Sequence, residues 1–302
     1  MKRFKNILVV FGDAVGDDDT LTQAANLAKR NDARLTVIEV FKDLDLSSDT
    51  ITEKGKILHR LTDSVRQAGI TVDTAVLIGT PFLEIIRQVL REKHDLVMIT
   101  AEGDAGYRGL FFGSTSFHLM RKCHCPVWVT HPGGKNDYTQ IMAAIEPDSE
   151  KVSDTELNIQ IMDLAISQAQ LNNSELHIVQ AWEVTGSDAE TLQSETTEEI
   201  RAKIYSKHEL AYREPLERFL GRYKLNNINH KIHLLRGAPD FELPQLADTM
   251  EIDLIVMGTI CRTGMSGLFI GNTAESILRQ VSCSVLTVKP EGFVSPVTLC
   301  GA

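Results

Sequence analysis

The sequence predicts an α/β chain of two repeated domains, each built on a five-stranded, doubly wound parallel sheet. Three observations carry this prediction. The chain has 302 residues, enough for about two domains at roughly 150 residues each. It matches itself over a long stretch. Short apolar runs alternate with amphipathic segments of helix spacing, the pattern of strand and crossover helix.

The repeat sets the frame. Gly79-Thr80-Pro81 and Gly237-Ala238-Pro239 lie 158 positions apart. The same offset superposes Asp95-Leu96 on Asp253-Leu254, Gly109-Leu110-Phe111 on Gly267-Leu268-Phe269, Arg121 on Arg279 and Cys125 on Cys283. About fifteen identities fall in the fifty-four positions from each start, without a gap. The first strands, residues 6–11 and 140–145, match at an offset of 134, so the second copy carries roughly 24 extra residues, and the acidic, Ser/Thr-rich stretch 183–198 is the place for much of them.

Taken in order, residues 7–11, 35–40 and 96–99 are apolar without alternation, as strands buried on both faces are. Leu21, Ala24, Ala25 and Ala28 mark a helix stripe after the first strand, and Leu157, Ile161, Leu164 and Ala165 mark its counterpart. Asp and Thr residues before the first helix, and Ser153 or Asp154 before the second, read as N-caps. A glycine-rich loop follows the fourth strand of each half, then a helix and a last strand at 126–129 or 284–288. His131-Pro132-Gly133-Gly134 ends one half before the next begins. The expected layout is a first domain at 1–132, a linker at 133–138, a second domain at 139–290 and a tail at 291–302, with the two lobes forming an intramolecular pseudo-dimer.

Composition narrows the function. Hydrophobic residues are 43% and charged residues 24% of the chain, which excludes a disordered or fibrous protein. A net charge of −10 disfavours direct binding to a nucleic-acid backbone. No apolar run reaches membrane-spanning length, and residues 7–11 are too short for the apolar core of a signal peptide. Five cysteines, an odd number in a chain of this size, do not form a disulfide framework, so a reducing cytoplasm is expected.

The glycine loops hold the one clear pointer to chemistry. Glycines at the carboxyl ends of strands, opening a helix, can aim backbone N–H groups at phosphate, although turns and helix starts need glycine too. With the helix and strand that follow, these loops resemble the universal stress protein family, whose nucleotide motif is G-x2-G-x9-G-[S/T]. The resemblance covers both halves, so the chain is similar to the tandem, or E-type, members. It implies an adenine nucleotide alpha hydrolase-like fold, a cytoplasmic stress-response role such as resistance to DNA damage, and a small ligand, an adenine nucleotide such as ATP or AMP, with or without magnesium. In single-domain members the last strand commonly forms the dimer; here the fusion would satisfy that contact within one chain.

Neither copy keeps the motif whole. In the second half Gly258 and Gly271 hold the first and third glycine positions, but Cys261 replaces the middle one and Asn272 the hydroxyl residue. In the first half Gly103, Gly113 and Ser114 match while Thr100 replaces the first glycine. The first loop carries Glu102 and Asp104 against Arg108, whereas the second carries Arg262 and no acid before Glu275, so the second half is the better site for an anion. The family's acidic residue at the end of strand one falls on Glu146 in the second half and on Gly12 in the first. A strand-end acid equally suits capping the next turn. The residues assigned to a ligand are therefore Glu146, Gly258, Thr259, Cys261, Arg262, Gly264, Gly271, Asn272 and Thr273, with Gly103, Gly113 and Ser114 in the weaker copy.

No catalytic residue and no metal ligand is assigned. Walker, nucleophile-elbow and related motifs are absent, and no general base is marked beside the loops. Slow ATP hydrolysis stays open, as do a nucleotide-independent interaction scaffold and a zinc- or thiol-dependent redox switch. The last rests on Cys123-His124-Cys125 with His118 nearby, or on Cys261 at the loop; Asp17-Asp18-Asp19 reads as a solvated helix start. The protein partners and the stress signal are left undetermined.

Overall fold

The computed structural model describes residues 4–12, 14–42, 47–102, 112–133, 137–147, 152–194, 197–259 and 270–299. The first repeat runs β1 (Asn6–Val10), α1 (Asp17–Asn31), β2 (Arg34–Phe41), α2 (Ser48–Leu61), α3 (Asp63–Gln67), β3 (Val72–Ile78), α4 (Pro81–Glu92), β4 (Leu96–Thr100), α5 (Ser114–Lys122) and β5 (Val127–Thr130). The second runs β6 (Gln140–Ala144), α6 (Val152–Asn172), β7 (Glu175–Trp182), α7 (Ser187–Gln193), α8 (Glu198–Leu220), β8 (His230–Arg236), α9 (Pro239–Thr249), β9 (Leu254–Gly258), α10 (Asn272–Leu278) and β10 (Ser284–Val288). A short 3-10 turn, Leu225–Asn227, precedes β8.

The chain clusters into two compact units that do not coincide with the repeats. One holds residues 1–137 together with 259–302; the other holds 138–258. In the first unit the strands lie in the order β3-β2-β1-β4-β5-β10, all parallel except β10, which runs antiparallel to β5 with Val285 opposite Val129 and Thr287 opposite Val127. The last strands of the two repeats thus meet edge to edge. In the second unit the order is β9-β6-β7-β8, all parallel. The apolar runs are buried as expected: Ile7, Leu8, Val9, Leu96, Val97 and Met98 have no exposed surface, nor have Ile141, Leu254 and Ile255.

The repeated residues earn their places. Gly79 and Gly237 have φ of +143° and +148°, and Pro81 and Pro239 then open α4 and α9 at the position where a missing N–H costs nothing. The carboxylates of Glu84 and Glu242 fold back over these glycines. Asp95 and Asp253 tie the amino ends of neighbouring strands together: Asp95 accepts from the Lys5 and Asn6 amides at 2.6 and 3.0 Å, and Asp253 from those of Thr139 and Gln140 at 2.7 and 3.0 Å.

Two local expectations are corrected. The N-cap of α1 is Gly16 at φ +95°, not an Asp or Thr, because a Cβ there would come within 2.9 Å of the Pro132 backbone. Asp17 instead turns inward, accepting from the Gly12 and Ala14 amides at 2.8 and 3.1 Å, so the start of α1 is only partly solvated. In the second repeat the helix begins at Val152, which puts Ser153 and Asp154 inside its first turn rather than ahead of it. The extra residues of the second copy include a helix: Asp188 on α7 receives Lys207 Nζ at 2.8 Å and meets His208 Nε2 at 2.9 Å, both from α8. Helix α8 lies on β7 and β8 through Tyr212 stacked on Trp182 and Tyr205 under Arg236.

Candidate functional site

The two copies of the glycine motif are built differently, beginning at its first position. In the first repeat Thr100, at the end of β4, is buried and pairs with Thr20 on α1 at 2.8 Å between hydroxyls; Thr20 in turn bonds Thr130 on β5. Burying three hydroxyls is tolerable because they satisfy one another. In the second repeat the helix offers Leu157, whose Cδ2 would lie 2.8 Å from a Cβ on Gly258. An aliphatic side chain packs where a side chain at position 258 would begin, and Gly258 is what leaves room for it. The lack of a side chain there is thus already used by core packing.

Thr259 is buried too. Its amide donates to Val288 O at 3.3 Å, its carbonyl accepts from the Gly271 amide at 3.0 Å, and its hydroxyl accepts from Lys289 Nζ at 3.0 Å. The same ammonium donates to Met120 O at the end of α5. Burial pushes the Lys289 pKa down to about 8. Thr259 therefore carries the glycine loop on one side and a buried lysine on the other, and its hydroxyl is committed within the protein.

The helix starts beyond the loops present exposed polar groups. Gly271 is buried at φ −58°, and Asn272 and Thr273, the first residues of α10, are exposed. Gly113 precedes α5, with Ser114 exposed. Neither helix has a side-chain cap on its N-terminus. The two starts differ in what covers them. The carboxylate of Glu102 lies against Gly113, so close that a methyl group on Gly113 would overlap it. At the corresponding place the second repeat has Ile260. Gly103, Cys261, Arg262 and Gly264, with Asp104 and Arg108, lie outside the described residues.

Glu146 is exposed beyond the end of β6. Its backbone is held by Asn158 on α6: Glu146 N donates to Asn158 Oδ1 at 2.9 Å and Asn158 Nδ2 donates to Glu146 O at 2.8 Å. A buried amide thus closes the turn after the strand, the task the Glu146 carboxylate was also suited to. In the first repeat the equivalent closure falls to Asp17, whose carboxyl is pushed up by burial. Glu275 is engaged elsewhere, accepting from Arg279 at 2.8 Å and from Arg121 at 2.5 Å; Arg279 foremost, then Arg121, hold its carboxyl below the usual range. Among the described residues no three His, Cys, Asp or Glu side chains are grouped to hold a metal ion, and no helix is long and apolar enough to cross a membrane.

Sequence reading did not single out Lys289, Asn158 or the Thr20-Thr100-Thr130 trio. A lysine directly after an apolar strand carries no mark of burial in its spacing, and Asn158 and Thr20 are recoverable only as polar residues near the apolar stripe of a helix.

Comparison with known proteins places this architecture. The model of the universal stress protein family matches residues 3–131 and again residues 152–289. The "Universal stress protein E" of Photorhabdus laumondii is 27% identical over 315 residues, covering 98% of both chains, and that of Escherichia coli K12 is 27% identical over 317 residues, covering 99% of this chain and 98% of the relative. Among solved structures, a functionally unknown protein from Pseudomonas aeruginosa PAO1 superposes with a TM-score of 0.78 at 22% identity, over 97% of this chain and 95% of that one. A universal stress protein from Archaeoglobus fulgidus superposes with a TM-score of 0.66 at 18% identity, over 94% and 98%. Two family-model matches on one α/β chain with two repeats establish that this protein belongs to the universal stress protein family, with the family's domain present twice.

Proposed function

We propose that this stress-response protein binds one adenine nucleotide, such as ATP or AMP, through the glycine motif of its second repeat, and that the first repeat is closed to it. The observation that carries this reading is the Glu102 carboxylate lying against Gly113. A phosphate brought to the start of α5 would meet the negative charge of this exposed side chain, and like charges about 4 Å apart repel by roughly 1 kcal/mol in water and about 4 kcal/mol at an effective dielectric of about 20. The second repeat has no acid at that place, keeps exposed Asn272 and Thr273 beyond Gly271, and keeps Glu146 exposed with its backbone held by Asn158. An amide, a hydroxyl and backbone N–H groups would serve the phosphates, and the Glu146 carboxylate would serve ribose hydroxyls. Magnesium would be carried in on the phosphates, and the protein would work in the cytoplasm, supporting survival under stress such as DNA damage.

The test is to denature freshly purified full-length protein and identify the small molecules released by mass spectrometry, with Gly271→Val and Glu146→Ala prepared in parallel. Glu146 is exposed, so its variant keeps the fold if the buried Gly271 variant does not. The expected result is about one adenine nucleotide per chain, reduced in both variants. Two tightly bound nucleotides per chain would overturn the closure of the first repeat. No nucleotide released, and no thermal shift on adding ATP and magnesium, would overturn the reading in favour of an interaction scaffold.

A further inference from the structure

The segment that joins α5 to β5 brings two thiols together. Cys123 ends α5, its amide donating to Leu119 O at 2.8 Å, and Cys125 stands just before β5. Their sulfurs are 3.4 Å apart, and neither is in a disulfide. Only the first repeat has the pair, since Val281 stands where Cys123 would be repeated, leaving Cys283 without that neighbour. If a small buried apolar residue were all that the fold required, the valine would suffice. The pair also has a cation nearby: the buried Lys289 ammonium, contributed by the second repeat, acts electrostatically on both sulfurs.

We propose that Cys123 and Cys125 are a reversible peroxide-sensitive dithiol, with Cys123 as the attacking sulfur and Cys125 as the resolving one. The hydrogen bond from Cys125, aided by Lys289, holds the Cys123 thiol below its ordinary value against the opposing effect of burial. Cys125 is held well above its own by that same hydrogen bond, by burial and by the charges of Cys123 and Asp95. The thiolate form of Cys123 attacks hydrogen peroxide. An S–O bond forms as the O–O bond breaks, the sulfur is oxidised by two electrons to a sulfenic acid, and the departing hydroxide takes a proton to leave as water. Cys125 then gives up its proton and attacks the Cys123 sulfur. The S–S bond forms, the S–O bond breaks, and a second water leaves with that proton. Two thiols and one peroxide become one disulfide and two waters.

Cys123 is fully buried and Cys125 beside it retains 6% of its surface, so peroxide, little larger than water, reaches the attacking sulfur when this connection opens. A bridge between residues two apart is a tight ring, and strained disulfides are the readily reduced, regulatory kind. Closure also removes the thiolate charge that acts on Lys289, whose ammonium donates to the Thr259 hydroxyl.

The experiment exposes the native full-length protein to a small excess of hydrogen peroxide, quenches with acid, alkylates under denaturing conditions and analyses the tryptic peptide that runs from Cys123 to Lys135. The expected result is a peptide two hydrogens lighter and protected from alkylation, restored by a reductant. Cys125→Ser should stop at a sulfenic acid trapped on Cys123 by dimedone. Cys123→Val, which borrows the second repeat's own residue and so keeps the packing, should leave Cys125 alkylatable. Both cysteines fully alkylated after peroxide, or oxidation that pairs either one with Cys261, Cys283 or Cys300, would overturn the proposal.

Discussion

Gly258 and Thr100 hold the same place in the two repeats, yet their neighbours give them opposite requirements. Gly258→Ala should push Leu157 aside and destabilise the protein by about 1 to 3 kcal/mol, the range for overpacking a filled core. Adding Leu157→Ala should remove most of that penalty in a double-mutant cycle measured by urea denaturation, whereas a glycine kept only for a ligand would show no such coupling. His94 offers a pH test. It is 2% exposed, and burial lowers its pKa to about 4. A depressed folded-state value means that the neutral ring is the stable one in the native state. The contribution is intact above the unfolded value of about 6.5 and is lost as pH falls from there through 4, up to about 3 kcal/mol. The second repeat has Ile252 at this place, so His94→Ile should flatten that part of the pH profile, read as the urea midpoint between neutral and mildly acidic buffers. The presence of these residues was legible in the sequence, but not their environments: a glycine beside a leucine and a histidine without water are facts of packing.

Helices α5 and α10 show how a duplicated element can lose its symmetry and keep its contact. Arg121 and Arg279 are repeat equivalents, and both place their guanidinium over the single Phe117 ring, at 5.9 and 5.1 Å, while both donate to Glu275. Phe117 and Glu275 are themselves equivalents, so one copy supplies the aromatic face and the other the carboxylate. Glu275→Gln should lower stability by about 1 kcal/mol or less, because this carboxylate is partly exposed and water screens it. The loss should shrink in high salt and as pH falls towards the lowered carboxyl pKa, where the wild-type charge is itself removed. The repeat was legible here as two arginines at one spacing. That both serve one acid was not, because α5 and α10 lie far apart in the chain. The acidic stretch 183–198 was placed correctly as extra sequence, but the short helix within it depends on Asp188 meeting Lys207 and His208, a tertiary contact.

At the scale of the molecule, the antiparallel pairing of β5 with β10 gives the last strand of each repeat a partner in the same chain. An unpaired β5 would be an exposed edge of Val127, Trp128 and Val129, ready to recruit another copy. A fragment covering residues 1–132 is therefore expected to self-associate in sedimentation or size-exclusion measurements. A proline at Leu286, in the middle of β10, should likewise raise self-association of the full chain by loosening that pairing.

The sequence by itself determined the fold class, the two repeats and the order of the strands, because these are written in local periodicity and in residues recurring at a fixed offset, and the family through the likeness of its glycine loops to a known motif. Only the tertiary structure decided what each recurring residue is for. It gave Gly258 a packing partner in Leu157, laid Glu102 over Gly113, bound the buried Lys289 to Thr259, brought the Cys123 and Cys125 sulfurs together, and joined the repeats through β5 and β10. The physical reason is that each of these depends on which groups the fold brings within a few Å and removes from water, and no spacing along the chain records that.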